Sequence, residues 1–534
     1  MRNKPLQKAE IYSFFVVFGK FALDRTSEMC YTYEYRITLI LKRGKHMKRL
    51  ITFLLASSLL LAAGCGSSSG STVTAPPSGD TTTEAADPDS FFPDEDFGGA
   101  EVSFLNFDQL WNMYIHVDAA ELNADVLNDA VFNRNRKVEQ KLGCKIVEKT
   151  VLNEGNALSL VTDAAKTSIM SGEDEYDAMM LPISETPYFI TDGYLQDLGS
   201  MPEFDFGGEW WDQEIIKSTT FGGKSFIASG AANLMAFDSM WCLFFNEKMM
   251  ADHQLDTPYQ LVRDGKWTID ELTKYCKAAA SLNGDESYTW SKDGSCVYGI
   301  SSHQNSPEHF WFSAGEMTLN TSGSKPEIIL GGDRFYSVMD KLALMLSGKD
   351  GLTLKASNTD FDAENGGYVH VFTVSRALFM TGEIKAAQLM RSMPDTFGIV
   401  PFPKFDENQD DYITSLVSQL FYFTIPVTSE NAARTATVYE AMTHESYVSV
   451  IPQYYGNVVE QKGLRNEESI EMLEILRRTR EVDVATIFNW SKDIRSSLNS
   501  MLFNGESTAA SIIDSNKSTL QAEMDKFFEY IEQK

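Results

Sequence analysis

Residues 102–181 open on VSFLNF (Val102–Phe107) and close on YDAMML (Tyr176–Leu181), two strand-forming runs with helical patterns between them. Asp125 to Leu142 places Leu127, Val131, Val138 and Leu142 on one face, and Gly143 closes the helix. Cys144 to Val151 is a second strand, residues 155–170 a second helix, and Tyr176 to Leu181 a third strand. The order β-α-β-α-β begins a largely parallel sheet, because parallel neighbours need a crossover that a helix supplies.

A second α/β stretch comes next. Trp241 to Phe245 (WCLFF) is a strand. Thr268-Ile269-Asp270-Glu271 is a capping box, with Thr268 as N-cap and Glu271 reaching back, and it opens a helix to about Ala280. Val297 to Ser301 (VYGIS) is a strand before a helix from Pro307; Ala377 to Met380 (ALFM) is a strand before a helix from Gly382; Phe397 to Val400 (FGIV) is another strand. Beyond 430 the pattern is mostly helical, and Leu520, Met524, Phe527, Phe528 and Ile531 form the apolar stripe of a last helix. Some 430 residues from 98 onward exceed one core, so two or more lobes are expected.

Upstream, Leu50–Ala63 is a fourteen-residue apolar-rich run, preceded by Met47-Lys48-Arg49 and followed by Gly64-Cys65. A charged start, a short apolar core and a small-residue exit make a secretory signal. The run is shorter than the roughly 20 residues of a membrane-spanning helix. Leu61-Ala62-Ala63-Gly64-Cys65 resembles the bacterial lipoprotein signal. That resemblance implies cleavage before Cys65 and lipidation of its thiol. Residues 1–46 are read as a start assigned too early, with translation from Met47, and residues 47–64 as the signal peptide; a cytoplasmic extension is the alternative. Residues 65–97, rich in Ser, Thr, Gly, Pro and acids, read as a disordered tether, and thirty such residues reach roughly 30 Å.

The formal net charge is −29. Residues 1–64 carry eleven Lys/Arg and four Asp/Glu, so the chain from Cys65 onward stands at −36. Nucleic acid binding needs clustered positive charge, so it is excluded as a function, and charge-driven adhesion to anionic lipid is disfavoured. Cys144, Cys242, Cys276 and Cys296 are too scattered for a metal site; disulfides and buried free thiols both remain open. No HExxH, GxSxG, Walker loop or GxGxxG occurs. Asp406–Asp411 (DENQDD) lacks the calcium-loop glycine pattern and reads as a solvated loop. No cofactor, no metal and no catalytic residue is expected.

Four ordered segments carry a family resemblance. Phe244–Met249 (FFNEKM), Phe379–Glu383 (FMTGE), Phe397–Lys404 (FGIVPFPK) and Phe423–Ser429 (FTIPVTS) are similar to successive elements of the extracellular solute-binding proteins of carbohydrate ABC importers, the maltose-binding-like family 1. Leu127–Val138 and Gly265–Thr268 resemble the long lipoprotein members. The likeness covers about residues 100–460 and departs at Glu383, where shorter members often carry a small or amide residue. It implies an α/β, two-lobed periplasmic-binding-protein-like (type II) fold with a hinge and a helical C-terminal segment. On that reading 98–232 plus 376–410 form lobe one, 233–375 lobe two, and 411–534 packs across both. The implied partners are a small carbohydrate and the permease subunits in the membrane, with a lipid anchor and a monomeric body.

Open α/β sheets bind ligand at the carboxyl ends of their strands, and saccharides offer apolar faces to aromatics and hydroxyls to carboxylates and amides. The candidate ligand-binding residues are therefore Asp108, Trp111, Trp210, Trp211, Asp212, Asp238, Gln304, Asn305, Trp311, Glu383 and Tyr455, with Cys65 for lipidation. Trp241, inside an apolar strand, is expected in the core. The adjacent indoles of Trp210 and Trp211 in a Gly-rich loop are expected not both to be buried. Abundant carboxylates leave a glycoside hydrolase, or a surface glycan-binding lipoprotein without a transporter, as alternatives.

Overall fold

The computed structural model describes residues 91–533 except 110–113, 153–156, 324, 417–420, 460–463 and 465, and excepting the side chains of residues 238 and 457–459. The signal, most of the tether, Cys65 and Trp111 lie outside the described residues. Contacts divide the chain after Ala85 into two units, and the described residues all lie in the second.

The body starts earlier than the sequence suggests. Phe91 stacks on His444 with ring centroids 3.7 Å apart and meets Trp210 edge-on at 5.1 Å. Lys137 lies 5.5 Å over the Phe92 ring. These contacts place Phe91 and Phe92 in the folded body and not in a tether running to residue 97.

The first sheet begins with β1 (Ala100–Phe107), followed by α1 (Val126–Leu142), β2 (Cys144–Val151), α2 (Ser159–Ser171), β3 (Ala178–Pro182) and α3 (Thr186–Thr191). Strand β1 pairs in parallel with β2, from Ala100↔Cys144 to Phe107↔Val151, and with β3 at Phe104↔Ala178. Asp125 caps α1 by accepting from the amides of Leu127 and Asn128 at 3.0 and 3.1 Å. Gly143 ends it at φ +57°, the left-handed conformation that glycine adopts without strain.

The second sheet is built from β4 (Trp241–Asn246), β5 (Tyr298–Ser302), β6 (Thr353–Lys355), β7 (Ala377–Glu383) and β8 (Phe397–Val400), in the order β8-β4-β7-β5-β6. Strand β5 is parallel to β6 and β7, while β4 is antiparallel to β7 and β8. Residues 376–410 therefore belong with this sheet and not with the first lobe. Ala377–Glu383 runs to the cleft end of the sheet as one strand, and its pairing with Trp241–Phe245 buries it completely.

On its helical faces lie α4 (Ile269–Ala279), α5 (Pro307–Ser313) and α6 (Asp333–Leu346). Thr268 Oγ1 accepts from the Glu271 amide at 3.4 Å, but the Glu271 carboxylate turns outward to Lys274 at 3.0 Å, so the cap is one-sided. The chain returns to the first sheet through β9 (Phe421–Thr424), antiparallel to β3, giving the order β9-β3-β1-β2. The outgoing and returning segments meet at the bridge Met240↔Leu416.

Helix α7 (Ala432–Glu445) covers β1 and α1, and α8 (Glu467–Arg478) covers β8. Helix α9 (Lys492–Asn504) lies on α5 and α6 of the second sheet. Helix α10 (Ala509–Gln533) reaches α3 of the first, with Leu520, Met524, Phe527, Phe528 and Ile531 all buried. Lys224 donates to the Ile531 carbonyl at 2.7 Å. Cys144, Cys242, Cys276 and Cys296 are buried free thiols. Among the described residues no helix is long and apolar enough to cross a membrane.

Candidate binding site

Strand ends from both sheets open into one cavity of about 510 Å³. From the first sheet, Ser184 and Glu185 follow β3; from the second, Gln304 and Asn305 follow β5 and Lys355 ends β6. The β5 loop is held rigidly. The His303 amide donates to Thr381 Oγ1 of β7 at 2.9 Å, and Ser306 Oγ donates to the His303 carbonyl at 2.7 Å. Backbone bonds thus fix the turn, and the side-chain amides of Gln304 and Asn305 make no hydrogen bond among the described residues.

The third wall comes from the C-terminal region. Asn489, at φ +56°, sends Nδ2 to the Ser184 carbonyl at 3.4 Å. Lys492, Arg495, Ser496, Asn499, Ser500 and Phe503 line the cavity at spacings of three and four, one face of α9. Arg495 and Glu308, 6% and 4% exposed, anchor that face through two bonds of 3.1 Å. None of the α9 residues is among the sequence candidates; the signal that marks them is a polar stripe at helical spacing.

At the same end of the second sheet, Trp241 of β4 sits opposite Glu383 of β7. Its indole stacks on His309 at 4.2 Å and meets His303 at 5.4 Å. It is 2% exposed, as expected of a core residue. Burial lowers the His303 pKa to about 4, helped by the charge of Lys385, and burial holds His309 well below the usual histidine range. Both rings are neutral at pH 7.

Their unfolded counterparts titrate near pH 6.5. Their contribution to stability is therefore complete above 6.5 and lost as pH falls from there toward the folded values. The urea midpoint should drop between pH 7 and 5, and less steeply in His309→Phe, which keeps a ring against Trp241. Equal slopes in the two proteins would refute this assignment.

The other candidates separate. Trp311 is 1% exposed and packs on Phe312, so it belongs to the core and not to the cleft. Glu383 is 8% exposed at the end of β7. Asp108 directly follows β1, half-buried, and Asp238 ends the short helix Met235–Asp238. Trp210, Trp211, Asp212 and Tyr455 come together elsewhere, on a cavity of about 350 Å³ that Arg477, Arg478 and Arg480 also line.

Trp211 is 3% exposed and Trp210 half-buried, so the two adjacent indoles are not both buried, as expected. One acceptor serves both. Trp210 Nε1 donates to Glu440 Oε1 at 2.7 Å and Trp211 Nε1 to Oε2 at 3.0 Å. Asp212 is occupied too, capping the helix Gln213–Thr219 and accepting from Arg480. Tyr455 carries the Arg477 guanidinium 4.3 Å over its ring. Among the described residues no group of acidic, histidine and cysteine side chains is placed to hold a metal.

Two sheets whose strand ends face one polar cavity, with paired crossing segments beside it, have solved counterparts. The chain resembles the galacto-N-biose/lacto-N-biose I-binding protein of the ABC transporter from Bifidobacterium longum, in complex with lacto-N-biose (TM-score 0.55, 13% identity, 81% of this chain and 99% of that one). It resembles an ABC substrate-binding protein from Listeria monocytogenes in complex with cycloalternan (0.51, 14%, 81% and 99%). It also resembles a sugar transporter protein from Rhizobium etli in an open conformation (0.52, 12%, 81% and 99%). The fold is that of the two-lobed, maltose-binding-like solute-binding proteins. The sequence matches no family model and no curated protein, so the two-lobed assignment rests on structure.

Proposed function

We propose that this chain is the extracytoplasmic, lipid-anchored solute-binding subunit of an ABC importer, and that it captures a sugar or oligosaccharide between its lobes for delivery to permease subunits in the membrane. The observation that carries the reading is the convergence of strand-end loops from both sheets on one cavity whose amide side chains are free. A ligand touching both lobes favours the closed state over the open one, and that difference in affinity drives hinge closure. Structural neighbours that bind sugars support the solute class.

Binding is favoured over hydrolysis by the carboxylates themselves. Of the two lining the cavity, Glu308 is held by Arg495 and Asn499, which leaves Glu185 without the second free carboxyl that glycoside hydrolysis requires. The full chain, screened against a glycan panel, should show a raised melting temperature with at least one saccharide, since ligand binding stabilises by mass action. Small-angle scattering should then show compaction, with the saccharide recovered intact. A bound ligand without compaction would overturn the hinge-closure reading, and released monosaccharide would favour the hydrolase.

A further inference from the structure

The third wall of the cavity bears on which kind of saccharide fits, an inference that rests on the importer reading above. We propose that the cleft selects saccharides bearing a negatively charged group, a carboxylate or a sulfate, over their neutral counterparts.

The charges facing the cavity run against those of the molecule. The chain carries a formal charge of −29, yet Lys355, Lys492 and Arg495 face the cavity against Glu185 and Glu308. Arg495 and Glu308 neutralise one another. Neither lysine has a carboxylate partner among the described residues, and the Lys355 ammonium rests 5.3 Å over the Phe503 ring. Two unneutralised ammonium groups remain, with one free carboxylate. In a molecule this acidic, distant charge repels anions, so an anionic ligand needs cations within the site itself.

A buried atom points to the same place. Asn499 is 8% exposed and lines the cavity. Its Nδ2 donates to Glu308 Oε2 at 3.3 Å. A carboxylate accepts only, so the amide cannot be reversed, and Oδ1 is left buried without a donor. A ligand hydroxyl supplies that donor. Phe503 and Leu158 add apolar surface for the C–H face of a sugar ring. Hydroxyl, ring face and charge are together the features of an acidic sugar.

The test is titration calorimetry on the full chain with size-matched trisaccharides: neutral, uronate-bearing and sulfated, at low and at raised salt. At least one anionic member should bind tenfold or more tightly than the neutral one, with an affinity that falls as salt rises. The exposed double variant Lys355→Gln/Lys492→Gln should weaken that binding at least tenfold. The uronate and sulfate arms identify the anion. Equal or tighter binding of the neutral sugar would overturn charge selection while leaving sugar capture intact. Binding of no trisaccharide would overturn sugar capture and this inference together.

Discussion

Glu308→Ala should lower the unfolding free energy of the full chain by about 3–5 kcal/mol, the cost of leaving a buried cation unpaired. Glu308 is the sole carboxylate bonded to Arg495 among the described residues, and it also holds Asn499. Both charged partners are under 9% exposed, so solvent screens little of the loss. The effect is not confined to stability, because α9 supplies one wall of the cavity through these same residues. Replacing both partners, as Glu308→Leu with Arg495→Met, removes the orphaned charge and should recover much of the stability while saccharide affinity stays low. Urea denaturation beside calorimetry separates the two effects. A single variant as stable as the parent would sink the assignment.

The second large effect is on Glu440, whose pKa burial pushes up to about 7 despite two indole donors that favour the charged form. Its unfolded value is near 4.3. A carboxyl with a raised folded pKa contributes fully below the unfolded value, and stability is lost as pH rises through 7. The shift corresponds to about 4 kcal/mol over that window at 1.36 kcal/mol per pKa unit. Glu440→Ala leaves two indole N–H groups unsatisfied at any pH, at about 1–3 kcal/mol each. The variant should therefore be markedly less stable than the parent at pH 5 and much closer to it at pH 8. A stability difference independent of pH would show that the carboxyl is not the titrating group.

How much of the molecule is legible in its sequence depends on the range of the interaction. The strands and helices of residues 102–181 follow from local periodicity, and the sheet they form is the one expected. The assignment of Ala377–Glu383 to the first lobe fails because a strand buried along its whole length carries no mark of which sheet it joins; pairing with Trp241–Phe245 decides that. The shared partner of Trp210 and Trp211 is hidden from the sequence for a similar reason. The carboxylate that satisfies both lies some 230 residues away in the chain. Gln304 and Asn305 do line the cavity, and the sequence suggests them because strand-end position is a local property. The α9 wall was missed because a polar stripe looks the same whether it faces water or a cleft, and only the fold tells which.

That wall has a consequence for how the protein can change. The two sheets and their connecting segments are built from residues 100–424, whereas Lys492, Arg495, Asn499 and Phe503 come from the single helix α9. On the binding reading proposed above, ligand preference can shift by substitution along one face of one helix, outside both sheets.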